Sequence, residues 1–519
     1  MPDDAHCPSH GRRRYERHTP ETTLLYRLVR DHRAAFVDEA REASKGLPRY
    51  VEHELDEYLR CGLLEHGFVR LHCDACDEDR LVAFSCKNRG LCPGCGGRRM
   101  ANTAAHLVDR VCPDVPVRQW VLSLPFALRF LVARYPAALL TANRLFVEEI
   151  AALQGRQDRE RGEVASKSGA VTFVQRFGGS LNLHVHFHVI AADGVFTKRG
   201  AGVTFVPLGA PPPEALAHLV GRVTERFGRW VRRRRGKGGD TDADASNAMR
   251  TPSAIEACLQ AASQRGIFAR LDEPPLEELG GNDTPLAPPR RSPCHAEYAG
   301  FNLHAGVRLA APDREGRERL FRYGARPPFA LERFSRLADG RIAYRLKAPN
   351  RRGQTHRVMT PVECLARLCA LVPPPWQPLV RFHGVFAPNH AWRPLVVPAR
   401  TAEPASSARC LRPLQRSLFA RPPSALREVE DALPRPPSSP PSSPRSPRET
   451  NASRFDWATL LARTFALDAL ECPRCFGRLR PLAVVAAPTS VATLLGATRQ
   501  APATRARPPP AAQLRLPLA

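Results

Sequence analysis

Polar and apolar positions alternate most sharply in residues 181–196, which read LNLHVHFHVIAADGVF. His184, His186 and His188 take turns with Val185, Phe187 and Val189. Successive side chains of a β-strand point to opposite faces, so this run predicts a strand with three imidazoles on one face and apolar side chains on the other. The β-rich residues 170–177 (AVTFVQRF) precede it. With the short glycine-bearing connection at 178–182 they predict an antiparallel hairpin whose second strand carries the histidines.

Elsewhere the period is helical. Leu24, Leu25, Leu28 and Val29 share a face, as do Val51, Leu55 and Leu59, predicting two or three helices between residues 22 and 59. Further helices are expected over 101–111, 136–153, 207–228 and 362–371, with a short one near 254–264. Strand character appears at 119–123, at 299–309 with His304, and at 379–385 with His383. Residues 340–347 and 354–360 have the pattern of a hairpin. Two stretches break the pattern: 236–296, rich in Gly, Asp, Ser and Pro, and a Pro/Ser/Arg-rich linker from 399 built around PPSSPPSSPRSPR. Both are expected to be flexible or extended, as is the Ala/Pro/Arg-rich tail from 489.

At 519 residues the chain can hold two to four domains. Its 77 Lys and Arg against 51 Asp and Glu give a formal charge of +26, and the obvious polyanionic partner is nucleic acid. No run reaches the ~18 apolar residues that span a bilayer, and the first residues lack the apolar segment of a signal peptide. An intracellular protein, cytoplasmic and nucleoid-associated, is expected. In such a compartment clustered cysteines favour metal over disulfides.

Cys73-x2-Cys76 and Cys92-x2-Cys95, fifteen residues apart, have zinc-ribbon spacing and predict one tetrahedral thiolate site. Residues 80–86 between them read as the ribbon's strand. Cys61, His66, His72 and Cys86 are left over, as further ligands or as buried thiols. Lys87, Arg89, Arg98 and Arg99 surround the knuckles and suit DNA phosphates, although a purely structural zinc is compatible with the same pattern. A lone knuckle at Cys472 and Cys475 cannot complete a site without ligands from elsewhere.

Three imidazoles on one strand face suit a divalent metal, Mg²⁺ or Mn²⁺ included, against a surface strand as the alternative. Residues 313–330 (DREGRERLFRYGARPPFA) predict a helix ended by Pro327 and Pro328. On it Tyr323 sits among Arg314, Arg317, Arg319, Arg322 and Arg326, where guanidinium groups can hold a phosphodiester and stabilise a phenolate; the other reading is a core tyrosine. Tyr344, in a strand-like run, is the chief rival among the eight tyrosines.

Taken together these motifs resemble the insertion-sequence ninety-one-like transposases, members of the HUH class of rolling-circle endonucleases. The likeness rests on the ribbon segment from RCGLLEHGF to CPGCGGRRM and on VRQWVLSLPFALRFL, LNLHVHFHVIAADGVF, GFNLHA, RYGARPPFA, LVRFHGVFAPN and LECPRCFGRLR. These stand in the family's order over roughly residues 20–480. The resemblance implies a transposase that nicks one DNA strand with a tyrosine, Tyr323, beside a divalent metal, Mg²⁺ or Mn²⁺, at His184, His186 and His188. It also implies an N-terminal zinc domain that helps recognise single-stranded or hairpin transposon ends. Some members carry two tyrosines four residues apart; here Arg319 and Pro327 stand four before and four after Tyr323, so the chain resembles the one-tyrosine branch.

The expected fold class is α/β (α+β): a central antiparallel-sheet HUH domain flanked by helices, a small zinc ribbon and a Pro-rich linker. Its expected parts are 1–110 (helical lead and zinc domain), 111–235 and 297–398 (catalytic domain, with 236–296 inserted), 399–454 (linker) and 455–519. Two alternatives stay open at this stage. One is a zinc-dependent DNA-binding protein or decayed copy without activity, and the other a plasmid-type rolling-circle replication initiator.

Overall fold

Apolar periodicity sets most of the element order in the computed structural model, which describes residues 18–43, 46–160, 166–236, 253–263, 294–350, 353–397, 458–459, 461, 463 and 468–500. In chain order the elements are α1 (Leu24–Ala43), α2 (Arg49–Arg60), β1 (Phe68–Cys73), β2 (Glu78–Ala83), α3 (Pro93–Arg110), β3 (Val117–Ser123), α4 (Phe126–Arg134) and α5 (Pro136–Arg159). There follow β4 (Ser166–Lys167), β5 (Gly169–Phe177), β6 (Leu183–Ala192), β7 (Gly194–Arg199), β8 (Gly202–Pro207), α6 (Pro213–Gly236) and α7 (Ala254–Ser263). The chain continues with β9 (His295–Tyr298), β10 (Phe301–Leu309), α8 (Arg314–Gly324), β11 (Phe334–Arg336), β12 (Ile342–Arg345), β13 (His356–Met359), α9 (Pro361–Leu371), β14 (Val380–Gly384), α10 (Arg393–Val396), β15 (Leu479–Val485) and α11 (Pro488–Gln500). Mixed helices and antiparallel sheets make this an α/β (α+β) protein. No described helix is long and apolar enough to cross a membrane.

Two compact units divide the chain, a larger one from Pro20–Arg60 and Cys86–Ala469 and a smaller one chiefly from Cys61–Ser85 and Leu470–Ala519. In the larger unit a six-stranded sheet runs in the order β14-β5-β6-β3-β10-β9, each neighbouring pair antiparallel. The hairpin β5–β6 lies inside this sheet, so both its outer edges are paired, and nearly every residue of the two strands is buried. Val171 and Phe173 of β5 and Ile190 and Ala192 of β6 pack with Leu107 and Val108 of α3, Val111 just past its end, and Phe321 of α8 in one core cluster. Directly opposed residues of an antiparallel pair share a face. Phe173 opposes His188 and Gln175 opposes His186, so this face turns from apolar to imidazole along β6.

At the far end of β6 the Asp193 carboxylate is buried and accepts from Arg118 Nε and Nη2 at 2.7 and 3.1 Å. Arg308 Nε donates to it as well, at 2.6 Å. Arg118 also donates to the Ala305 carbonyl at 3.0 Å, so β3, β10 and the end of β6 are tied by one satisfied ion-pair network. In the smaller unit β15, β1 and β2 form a three-stranded antiparallel sheet.

Several boundaries differ from expectation for local reasons. Helix α3 begins at Pro93 and not near 101, because proline is already set for a first helical turn. Helix α6 runs on through the exposed Arg232, Arg233 and Arg234 to Gly236, so the arginine run is helical. Helix α8 starts where the Asp313 side chain accepts from the Gly316 amide and stops at Gly324, short of the two prolines. Residues 488–500, expected as tail, form α11. The expected insertion 236–296 and linker 399–454 lie mostly outside the described residues, apart from α7.

Candidate active site and metal centres

The three imidazoles stand in a row along one face of β6. Ring centroids of His184 and His186 are 4.8 Å apart, and those of His186 and His188 4.9 Å. The Tyr323 ring meets His188 edge-on at 5.4 Å. Three contacts bring the tyrosine there. Phe321, on the same helix, packs on Phe173 with ring centroids 6.3 Å apart. A Cβ on Gly324 would come within 2.6 Å of the Phe173 ring, so only glycine lets the helix end lie this close to the sheet. Gln175, opposite His186, donates its amide to the carbonyls of Tyr323 and Gly324 at 3.0 and 2.9 Å, fixing the C-terminal turn of α8 to the histidine strand.

Arg326 completes the wall. Its guanidinium lies 4.7 Å from the Tyr323 centroid and 5.1 Å from that of Phe177. Nε points to the Gln175 side-chain oxygen at 3.4 Å. Tyr323 remains 41% exposed, so its phenol is open to a ligand while its ring is held.

Burial keeps the imidazoles neutral. It pushes His184 well below the usual imidazole range, His186 down to about 4 and His188 to about 2, with charge from neighbouring arginines acting the same way. His186 Nδ1 donates to the His184 carbonyl at 2.9 Å, leaving the Nε2 lone pair forward. His188 Nδ1 is 2.9 Å from the side-chain amide of Gln119 on β3. Among the described residues, Nε2 of His184 and Nε2 of His188 are buried with no hydrogen-bond partner. Neutral imidazoles with orphaned nitrogens fit a metal-binding face. Their ligand atoms form a row, however, and do not gather within 4.8 Å of one another as two sets of cysteines do.

Tyr344 is placed differently. It is buried in the β11-β12-β13 sheet, where its hydroxyl is 3.3 Å from Arg333 Nη1 and burial raises its pKa. Arg322 is paired with Glu318, the residue one turn before it. Arg99 donates to the carbonyls of Lys87 and Asn88 at 2.6 and 3.3 Å, bracing the loop before α3, and Arg98 lies beside it in the same helix.

The cysteines correct the expected ribbon. Cys73 and Cys76 do not share a site with Cys92 and Cys95. Instead Cys61, Cys86, Cys92 and Cys95 form one group and Cys73, Cys76, Cys472 and Cys475 another, each with its Sγ atoms within 4.8 Å. The reason is local. The turn between β1 and β2 carries Cys73 and Cys76, whereas Cys92 and Cys95 begin α3 beside the loop from Cys86. In that loop Lys87 N–H donates to Cys95 Sγ at 3.3 Å. Cys61 is peptide-bonded to the last residue of α2, and α2 grips the same loop: Glu54 accepts from the amides of Arg89, Gly90 and Leu91 at 2.8, 3.2 and 3.1 Å. The leftover Cys61 and Cys86 thus stand with Cys92 and Cys95, and the lone knuckle at Cys472 and Cys475 finds its partners in Cys73 and Cys76.

Gln119 and Gln175 escape a reading of the sequence, since an amide in a strand carries no signal of its own. Only the register, Gln175 against His186 and β3 beside β6, gives them their place. Compared with known families, the chain matches a model described as "Transposase zinc-binding domain" over residues 28–124 and one described as "Putative transposase" over residues 169–392. The first spans Cys61 to Cys95, and the second spans β5 to β14 with the histidine row and Tyr323. No curated protein and no solved structure matches the chain.

Proposed function

Since the chain belongs to the insertion-sequence ninety-one-like transposase family, a DNA-processing and DNA-binding group, we propose that it nicks single-stranded transposon-end DNA through a 5′-phosphotyrosine and transfers strands by a rolling-circle route. The observation that carries this reading is Tyr323: exposed, edge-on to His188, with the Arg326 guanidinium stacked on its ring. The Tyr323 oxygen attacks phosphorus as its proton departs. The bond from phosphorus to the 3′-oxygen breaks, and that oxygen takes up a proton to leave a free 3′-hydroxyl. The phosphotyrosine keeps the bond energy, so a later 3′-hydroxyl can rejoin the strand without ATP. Arg326 attracts both the phenolate and the phosphate oxygens, at a point where charge builds during attack.

A divalent cation, Mg²⁺ or Mn²⁺, at the imidazole row would polarise the scissile phosphate. Adjacent histidines of the row would hold it, and His186 belongs to both adjacent pairs. An all-nitrogen donor set favours Mn²⁺ over the oxygen-seeking Mg²⁺. Gln119 orients the His188 ring through its side-chain nitrogen, which donates to Nδ1 at 2.9 Å. At the other site Cys61, Cys86, Cys92 and Cys95 would hold a structural zinc that fixes the loop before α3, and Arg98 and Arg99 present positive charge to DNA beside it.

The test is a nicking assay on single-stranded oligonucleotides from the DNA flanking the gene, with Mn²⁺, resolving covalent adducts on a denaturing gel. Tyr323→Phe and His186→Ala each lose the adduct by about 10³-fold or more while DNA binding persists. An adduct that survives Tyr323→Phe would move the nucleophile to Tyr344. Binding by the wild type with no adduct on either end would leave a DNA-binding protein without this chemistry.

A further inference from the structure

The smaller unit holds four thiols of its own, apart from the histidine row and the first cysteine group. Cys73 Sγ is 3.5 Å from Cys475 Sγ, and Cys76 Sγ is 3.6 Å from Cys472 Sγ. Tetrahedral zinc with Zn–S bonds of ~2.3 Å sets its sulfurs about 3.8 Å apart, close to both separations. The two knuckles also share a backbone form. In each, the amide of the residue after the second cysteine donates to the carbonyl of the first, Asp77 to Cys73 and Phe476 to Cys472, both at 2.9 Å. Each of those residues is left-handed, φ 57° at Asp77 and 61° at Phe476. That conformation is strained for a residue with a Cβ and persists only where the surroundings demand it. It turns both thiols of each knuckle toward one point.

The unit's hydrophobic content argues in the same direction. Most of its described buried side chains fall into two small clusters, Leu71, Cys73, Cys472 and Leu479 in one and Phe68, Val485 and Val491 in the other. A core of this size rarely holds a domain without a metal or a covalent staple. Here Cys73 and Cys472 lie inside the first cluster and Cys76 packs against it, where bound metal would supply the missing folding energy.

We propose that Cys73, Cys76, Cys472 and Cys475 form a second tetrathiolate zinc site, separate from that of Cys61, Cys86, Cys92 and Cys95. The knuckle near the C-terminus completes it, and both family matches stop short of that knuckle. The site makes β15 a permanent strand of the β1–β2 sheet, so the last part of the chain belongs structurally to the zinc domain. Ion pairs flank it, Arg480 with Asp74 at 2.6 Å and Arg474 with Glu78 at 3.8 Å, consistent with a structural rather than a catalytic role.

The test counts metal in the full-length chain and needs no nicking activity. Relative to wild type, Cys472→Ser/Cys475→Ser loses one zinc per chain by elemental analysis, as does Cys92→Ser/Cys95→Ser. Unchanged zinc content in Cys472→Ser/Cys475→Ser would overturn the proposal. Because either variant could fail to fold, the metal-free wild type is also titrated with Co²⁺. Thiolate-to-cobalt charge-transfer absorption, to which histidine sites contribute nothing, rises to two equivalents. Saturation at one would also overturn it.

Discussion

Tyr323 owes its position to a neighbour on another strand as much as to its own helix. Gln175 bonds the two last carbonyls of α8 and reaches Arg326, so it is a positioning residue for both groups that meet the phosphate. In the proposed reaction, Gln175→Leu slows adduct formation by about 10²-fold through misplacement alone. The loss falls on kcat, with oligonucleotide affinity nearly unchanged, and single-turnover kinetics separate the two. Gln119 acts on the metal instead. Gln119→Leu, which removes the donor that holds the His188 ring at Nδ1, weakens Mn²⁺ binding by about 10–100-fold, as calorimetry reads. Such residues are illegible in a sequence because their roles come from register. The histidines were legible, since alternation alone assigns them a common face. Tyr323 was legible only as a tyrosine among arginines, several of which turn out to serve ion pairs such as Arg322 with Glu318 and Arg314 with Asp109.

At the scale of elements, the hairpin β5–β6 follows from local pattern, while the pairing of its two outer edges depends on strands recruited from residues 117–123 and 380–384. The approach of α8 to this sheet hangs on Gly324. Gly324→Ala drives a methyl against the Phe173 ring and displaces Tyr323 from His188, so adduct formation drops by about 10²-fold. A crystal structure of the variant would show the separated rings. At the sheet's edge, burial lowers His383 to about 4, and its Nε2 meets Thr172 Oγ1 at 2.9 Å. Between the unfolded value of about 6.5 and the folded value of about 4, the unfolded chain binds more protons, so this contribution is whole above 6.5 and fades as pH falls. Melting curves at about pH 7 and about pH 5 check it: His383→Gln loses less on acidification than wild type, by an amount on the order of 1–3 kcal/mol.

For the whole molecule, the formal charge of +26 makes DNA association steeply salt-dependent. On single-stranded DNA, replacing one phosphate-binding arginine or lysine by alanine lowers the slope of log affinity against log salt by about 0.7, a value that filter binding at several salt concentrations gives directly. What could not be read from composition or spacing was which cysteines meet. The spacing of Cys73, Cys76, Cys92 and Cys95 satisfies a ribbon on paper, but tertiary structure gives each pair a different partner, one of them 402 residues along the chain. Pairing at that separation leaves no local trace.

That separation also sets a timetable. Strand β1 lies between β2 and β15 in its sheet. At ~5–20 residues per second, a ribosome that has finished β1 needs about 20–80 s more to deliver β15. Throughout that interval one edge of β1 presents open amides and carbonyls, a template for any strand nearby, including β1 or β15 of another copy. Chains on one polysome are therefore prone to exchange β15, and products shortened before residue 479 keep the open edge for good.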